Sequence, residues 1–310
     1  MNHLPFIQTP ITPLPYFSKK YGVNLLCKRD DLFAEAGGGN KARMLQYILY
    51  GVTSDKYDVV VTAGNPCSNF NRACALMCAK LGVQLHIVEY SEHEEDFGFS
   101  ANRKMCEWAS TSFTRCEKSA VKVTIDRVVA QYQYQGKRVK FIYGGGRSIE
   151  GLYAYYDAVR ELSEQVHDLD YIFAPCGTGT TCVGISVGLH AFMPNTQLIG
   201  ISISRDIRSE LSILQEDLDM LNDVLKTNYD FSNFTFNDSY LCGGYNQTND
   251  ALICTIKECI SQEGLIIDSC YSGKGFYGMS QELEIFNEQY IGKKVLFWNT
   301  GGLFNIINAR

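Results

Sequence analysis

The sequence predicts an α/β fold built on parallel strands, and three observations lead to that class. Residues 58–63 are a β-branched run of the kind that is buried in parallel sheets. A helical pattern through Leu81 and a second apolar run at 83–88 follow, which together make one right-handed βαβ unit. A third buried-type run, 168–175, leads into a loop rich in glycine and threonine and then into an apolar helix.

Length and composition limit the class of protein. The chain has 310 residues, 45% of them hydrophobic and 20% charged, which is typical of a globular protein with one or two domains. The net charge of −6 argues against nucleic acid or an anionic membrane as the main partner. No apolar run approaches the roughly 20 residues of a membrane helix, and the first residues lack the pattern of a secretory signal. We therefore expect a cytoplasmic protein.

Cysteine and histidine usage is consistent with that compartment. Twelve cysteines are scattered along the chain without a C-x-x-C pair, so we expect reduced, mostly buried thiols. Only five histidines occur, and none has ligand spacing to a cysteine. No metal site is therefore expected.

The remaining elements follow from local patterns. Four prolines make residues 1–28 extended and rich in turns, with a short strand at 24–28. The acidic residues of 91–118, which include Glu92, Glu94, Glu95 and Asp96, predict a solvated face or a mobile loop. No clear element is predicted for 227–241. Helices are expected at 120–134, from Ser148 as N-cap to 162, and at 211–225, 249–261 and about 272–285, with strands at 139–143, 198–202 and 293–298 and a short terminal helix.

One lysine follows a run of three glycines. Gly37 to Gly39 tolerate unusual φ angles and close approach of a ligand, and Asn40 suits a helix N-cap. Lys41 then lies in the first helical turn, where the helix dipole disfavours a cation. A lowered ammonium pKa is what a Schiff-base lysine needs, because the neutral amine attacks the carbonyl. The alternative is a surface lysine after a glycine turn.

Glycine-rich loops follow several of the predicted strands, at 64–72, 177–184 and 299–302. A strand, such a loop and a helix together present backbone amides to a phosphate group. With the lysine loop they suggest one site for a phosphorylated cofactor. The loop at 177–184 lacks the nucleotide P-loop pattern, and Cys182 stands where the dinucleotide pattern needs its third glycine. A nicotinamide-binding fold is therefore a weaker alternative.

Taken together, these segments resemble the fold type II pyridoxal-phosphate enzymes, and among them the family of D-cysteine desulfhydrase and 1-aminocyclopropane-1-carboxylate (ACC) deaminase. The motifs occur in the family's order over residues 5–304. The resemblance implies a fold like that of the tryptophan synthase β chain, with two three-layer α/β domains. Residues 1–49 and 161–310 would form a large domain and 50–160 a small one, with the active site between them. It also implies a homodimer.

The resemblance also implies roles for individual residues. Lys41 would hold pyridoxal phosphate as a Schiff base and act as the base for the α-proton. Ser68 would bind the substrate carboxylate or assist proton movement, and Asn69 would bind the phenolic oxygen of the cofactor. Tyr245 and Tyr271 would face a small amino-acid substrate. The phosphate would lie on Gly177, Thr178, Gly179, Thr180 and Thr181, and the pyridine nitrogen would face Ser272 or Thr300.

Departures from the family pattern bear on the reaction. A family lysine is replaced by Met44, a glutamine by Cys67, and a histidine or glutamine by Phe70. The deaminases carry a glutamate where this chain has Ser272, which favours β-elimination or β-replacement over ring opening. The predicted function is therefore a lyase that converts an amino acid such as D-cysteine to a keto acid, ammonia and sulfide. A β-replacement synthase, an ACC deaminase and a non-catalytic cofactor-binding protein are the alternatives.

Overall fold

The computed structural model of this protein describes residues 1–91 and 100–306. Strands and helices alternate over most of that length. The strands are β1 (Ile11–Pro13), β2 (Asn24–Arg29), β3 (Val59–Gly64), β4 (Gln84–Glu89), β5 (Ser112–Arg115), β6 (Val139–Phe141), β7 (Tyr171–Cys176), β8 (Gln197–Ser202), β9 (Phe234–Asn237) and β10 (Lys294–Asn299). The helices are α1 (Pro15–Tyr21), α2 (Asn40–Ser54), α3 (Asn69–Leu81), α4 (Ala101–Trp108), α5 (Val121–Tyr134), α6 (Ile149–Gln165), α7 (Thr180–Phe192), α8 (Ile207–Leu225), α9 (Asp250–Glu263), α10 (Ser272–Ile285), α11 (Asn287–Tyr290) and α12 (Leu303–Ile306).

Two sheets organise these elements, and both are dominated by parallel strands. The larger sheet has the order β1-β2-β10-β7-β8-β9, and only its edge strand β1 is antiparallel to its neighbour. The smaller sheet has the order β5-β4-β3-β6 and is wholly parallel. The predicted α/β class with parallel sheets is therefore confirmed.

Each sheet has helices on both faces. In β10 the alternate residues Leu296 and Trp298 pack in a core shared with α2, α6 and α7, whereas Val295 and Phe297 pack in a second core with α1, α9 and α10. In the smaller sheet β3 is buried along its whole length, between α3 on one face and α5 on the other. Continuous burial on both faces explains why the predicted strands are unbroken apolar runs rather than alternating ones.

The N-terminal part is more regular than expected. Residues 15–21 form helix α1, where an extended and turn-rich segment is predicted from the prolines. Pro15 occupies the first helical turn, where a missing amide hydrogen costs nothing. Phe17 and Tyr21, four residues apart, are buried against the large sheet. The expectation is therefore wrong for this helix.

Two further segments contain elements where none is predicted. In 91–118, Ser100 caps helix α4 by accepting a hydrogen bond from the Arg103 amide, and β5 pairs with β4 at the edge of the small sheet. The acidic run from Glu92 to Asp96 lies outside the described residues. In 227–241, β9 extends the large sheet through the register Leu198 to Phe234. Pairing with a distant strand stabilises both of these edge strands.

The two sheets divide the chain in a way that bears on the expected domains. All four strands of the smaller sheet lie between residues 59 and 141. Helix α6, however, extends across residue 160 and packs against α2 and α7 in the core of the large sheet. The division into 1–49 with 161–310 and 50–160 stays a prediction.

The described residues contain neither a membrane-spanning helix nor a group of metal-ligating side chains. No helix among them is both long and apolar enough to cross a membrane. In the same residues, no three or more histidine, cysteine, aspartate or glutamate side chains are grouped to hold a metal ion. All twelve cysteines lie in the described ranges, and none forms a disulfide.

Candidate active site

A large cavity of about 1330 Å³ lies at the carboxyl ends of the parallel strands. Loops that follow β3, β6, β7, β8 and β10 line it, together with the start of α2. In parallel α/β sheets this edge is where ligands bind, because the loops there converge from several strands. Residues that follow strands of both sheets therefore line the same cavity.

The lysine loop enters the cavity on a backbone that only glycine permits. At Gly38, φ is +78°, and an added Cβ would lie 2.0 Å from the Asp31 carbonyl oxygen. The Gly39 amide donates to the Asp30 carbonyl oxygen at 2.8 Å, and helix α2 begins at the next residue. Asn40 is thus the first helical residue and not the N-cap, which is Gly39. Because α2 begins directly after the glycine loop, Lys41 is the second residue of the helix and lies in its first turn, as predicted.

A buried ionic cluster fixes the base of α2 against the large sheet. Arg43 donates to Asp30 at 2.7 Å and to Glu161 at 2.8 Å, and Lys28 also pairs with Glu161. Asp30 also accepts hydrogen bonds from the Trp298 indole and from a tyrosine hydroxyl of α6. Because each buried charge is paired, the cluster holds the helix that carries Lys41 in one position.

Lys41 has the electrostatic environment that its proposed chemistry needs. Its Nζ lies in the cavity and donates to the Gly145 carbonyl oxygen at 2.8 Å. Removal of the ammonium from water lowers its pKa from 10.5 to about 8. The neutral, nucleophilic fraction of this amine near neutral pH is therefore much larger than that of an exposed lysine.

The amino end of α7 forms a cradle suited to a phosphate group. Its N-cap is Gly179, and no side chain caps the first amides of the helix. Gly177, Thr178 and Thr181 line the cavity beside it. At Gly179 φ is +79°, and a Cβ would meet a methyl group of Leu214 at 2.5 Å. Uncapped amides and a helix dipole attract an anion, and the threonine hydroxyls can add donors.

A polar group at the start of α3 forms the opposite wall. Ser68 is the N-cap of α3, and its Oγ accepts from the Asn71 amide at 3.2 Å. Asn69 Oδ1 accepts from Arg72 at 3.3 Å and from Asn102 at 3.2 Å. Both contacts use the amide oxygen, so the Asn69 nitrogen can donate into the cavity.

Two tyrosines meet at another wall of the cavity. The hydroxyls of Tyr245 and Tyr271 lie 2.8 Å apart, and their rings are nearly perpendicular. Burial raises the pKa of both phenols well above the usual value of 10. Both hydroxyls therefore stay protonated at neutral pH. Because one of them donates to the other, one hydrogen of the pair is left to donate to a bound substrate.

Most residues that the sequence singles out line this one cavity, whereas two do not. The lining includes Lys41, Ser68, Asn69, Gly177, Thr178, Gly179, Thr181, Tyr245, Tyr271 and Thr300. Thr180 is fully buried, and its Oγ lies 3.5 Å from Asp217. Ser272 is also fully buried, and its Oγ donates to Asp268 at 2.8 Å. Ser272 is therefore bonded to Asp268, and Thr180 can contribute only its backbone. That Ser272 or Thr300 faces the cofactor ring stays a prediction, in which the position of Thr300 in the cavity lining favours Thr300.

Two residues of the site are assigned no role in ligand binding or catalysis from the sequence. Asn40 donates from its side chain to Thr181 Oγ at 3.2 Å, which joins the lysine helix to the phosphate cradle. Gly145, the partner of Lys41, belongs to a turn of three glycines after β6. The position of that turn after a predicted strand was the available signal, since such loops lie at the ligand edge.

Comparisons with known proteins agree with this geometry. A family model described as pyridoxal-phosphate dependent enzyme matches residues 4–301. A D-cysteine desulfhydrase of Salmonella choleraesuis (strain SC-B67) is 30% identical over 309 residues, covering 95% of this chain and 91% of that protein. The crystal structure of an ACC deaminase homologue has a TM-score of 0.88 at 27% identity, covering 98% of this chain and 92% of that one.

A serine racemase from Dictyostelium discoideum shares the fold at lower similarity. Its TM-score is 0.72 at 18% identity, over 96% of this chain and 93% of that one. The predicted fold type is thereby confirmed across two kinds of neighbour. Since the family model also spans nearly the whole sequence, the chain belongs to the pyridoxal-phosphate-dependent enzymes, with pyridoxal phosphate as its cofactor.

Proposed function

We propose that this chain is a lyase that eliminates the β-substituent of a small amino acid such as D-cysteine. The observation that carries the proposal is Lys41, a lysine with a pKa near 8 inside the cavity, at the carboxyl ends of the strands. The similarity to a D-cysteine desulfhydrase over 95% of the chain supports the substrate. The net reaction takes cysteine and water to pyruvate, ammonia and hydrogen sulfide.

The residues present fit the cofactor. Lys41 would bind it covalently, and the uncapped amino end of α7 with Gly177 to Thr181 would hold its phosphate. Asn69 would donate to its phenolic oxygen. Thr300 lines the cavity, so its neutral hydroxyl is proposed to face the pyridine nitrogen in preference to Ser272.

The side chains of the cavity supply the remaining chemistry. When bound, pyridoxal phosphate withdraws electrons from the α-carbon of the substrate. Lys41 accepts the α-proton, because its amine is partly neutral at working pH. Ser68, at the amino end of α3, binds the substrate carboxylate. The Tyr245 and Tyr271 hydroxyls orient the substrate, and one of them donates a proton to the departing sulfur as the carbon–sulfur bond breaks.

Product analysis of the holoenzyme tests the proposal. Purified protein is given D-cysteine, L-cysteine, D-serine or ACC, and keto acid, ammonia and sulfide are quantified. We expect equal amounts of pyruvate and sulfide from D-cysteine, and none from the Lys41→Ala variant. An enzyme that releases no keto acid from any of the four amino acids contradicts the lyase.

Two alternatives are separated by the same assay. Keto acid from ACC without sulfide from D-cysteine identifies a deaminase, the activity in the name of a solved structure at 27% identity. Products that appear only when an external nucleophile is added identify a β-replacement synthase. Each outcome replaces the desulfhydrase proposal.

The proposed form of the enzyme is a cytoplasmic homodimer. The support is the family resemblance, together with twelve cysteines of which none forms a disulfide within the described residues. Light scattering on the purified holoenzyme measures the mass directly. The expected mass is twice that of the 34.8 kDa chain. A measured mass of 34.8 kDa contradicts the dimer.

A further inference from the structure

A second lysine lies buried near the cavity without an assigned role. Lys274, in the first turn of α10, has no exposed surface. Its Nζ donates to three backbone carbonyl oxygens: Ile203 at 3.1 Å, Leu241 at 2.9 Å, and Gly244. The three ammonium hydrogens thus meet three acceptors, and all of the acceptors belong to loops.

The charge of this lysine is balanced by carbonyl groups. Among the described residues, no carboxylate forms an ion pair with Lys274, and burial lowers its pKa. A buried ammonium is costly unless its hydrogens are well bonded. Movement of the Leu241 or Gly244 carbonyl group away from Lys274 would leave a buried ammonium hydrogen without an acceptor, so these bonds hold both carbonyl groups in place.

In the segment that Lys274 contacts, Cys242 packs against the core and the Gly244 amide donates to the Leu241 carbonyl oxygen at 3.1 Å, but the glycines and Tyr245 have little packing around them. Cys242, Gly243 and Gly244 have φ angles of 50°, 90° and 110° in succession. A Cβ added at Gly244 would meet no atom within 4 Å. Tyr245, the next residue, is 47% exposed although its hydroxyl bonds to Tyr271. Packing alone does not explain why this loop takes one conformation.

We propose that Lys274 is a positioning residue that fixes the loop at 241–245 and so sets the place of the Tyr245 hydroxyl in the cavity. The proposal rests on the proposed function in one respect, namely that Tyr245 faces the substrate. The Lys274 ammonium group does not contact the reacting atoms. It bonds the start of α10 to Ile203, the residue after β8, and to the loop at 241–245.

A double-mutant cycle tests this role. Lys274→Met keeps an unbranched side chain of similar length and removes the three donors. With rates normalised to bound cofactor, we expect kcat/KM for D-cysteine to fall at least about tenfold, since small misplacements of a positioning group are costly. In a Tyr245→Phe background the same change is expected to cost less than about threefold, because coupled residues are non-additive.

Two measurements keep the test independent of turnover. The first is hydrogen exchange of residues 240–248, which we expect to quicken in Lys274→Met and not in the matched control Lys294→Met. Lys294, the first residue of β10, also donates to a backbone carbonyl oxygen, that of His167, at 2.9 Å. The second is the amino-acid concentration that half-saturates the change in cofactor absorbance.

Several results overturn the proposal. In Lys274→Met, these are an unchanged rate of hydrogen exchange at 240–248 or unchanged amino-acid binding. In the double variant, it is a loss of kcat/KM equal to the product of the losses in Lys274→Met and Tyr245→Phe. If wild-type enzyme binds D-cysteine but produces no sulfide, the proposed function fails, and exchange and binding still decide the role of Lys274.

Discussion

The pH dependence of Lys41 tests the electrostatics of the cavity in one experiment. Burial lowers the pKa of this amine from 10.5 to about 8, and only the neutral amine can attack the aldehyde of pyridoxal phosphate. The sign follows directly. The rate at which apoprotein captures the cofactor rises with pH, and it levels off above about pH 8 in place of about pH 10.5.

The size of the effect follows from the same two values. At pH 7 an amine of pKa 10.5 is neutral for about 0.03% of the time, whereas one of pKa 8 is neutral for about 9%. The burial of Lys41 therefore raises the reactive fraction by roughly 300-fold at neutral pH. An exposed lysine in the same protein gains nothing comparable.

The assay is stopped-flow absorbance of apoprotein mixed with pyridoxal phosphate between pH 6 and pH 10.5. This range begins about two units below the lowered pKa and ends at the ordinary pKa of a lysine. A small lysine analogue run in parallel corrects for titration of the cofactor itself. A corrected rate that continues to rise tenfold per pH unit beyond pH 9 would refute the reasoning, because the amine would then titrate like an exposed lysine.

Three substitutions test other parts of the account. Gly179→Ala places a Cβ against Leu214 at a φ of +79°, so we expect weaker cofactor binding in a titration and about 1–3 kcal/mol less unfolding free energy. Ser272→Ala removes the bond to Asp268, and should cost about 1–2 kcal/mol in denaturant unfolding while the cofactor absorbance maximum stays unchanged. Arg43→Met removes the ion-pair partner of the buried Asp30 and one of the two partners of Glu161, and should lower the unfolding free energy by about 3–5 kcal/mol.

Local sequence predicted the cavity lining well where a loop directly follows a buried strand. The loop at 64–69 after β3 and the loop at 177–181 after β7 are examples, since the strand direction alone places them at the carboxyl edge of the sheet. Ser272 shows where this reasoning ends. Tyr271 reaches the cavity, but Ser272 begins α10 and turns to Asp268, whose carboxylate accepts from both of their amides. The different directions of these two adjacent side chains depend on the hydrogen bonds to Asp268 at the start of α10, which the motif alone does not specify.

The elements missed from sequence share a different cause. Strands β5 and β9 are edge strands of four residues each, and their stability comes from pairing with β4 and β8. Four residues are too few for a repeating pattern to distinguish a strand from a loop, although Phe234 and Phe236 of β9 do alternate with polar residues. Helix α1 was missed because the prolines near the start of the sequence predict an extended segment, although Pro15 is compatible with a first helical turn.

The most direct test of the central claim is the site of cofactor attachment. Holoenzyme is reduced with borohydride, digested and mapped by mass spectrometry, so that the lysine bound to pyridoxal phosphate retains a stable label. The account predicts the label on Lys41, inside the cavity at the start of α2. A label on any other lysine, such as Lys122 at the cavity edge or the buried Lys274, would contradict it.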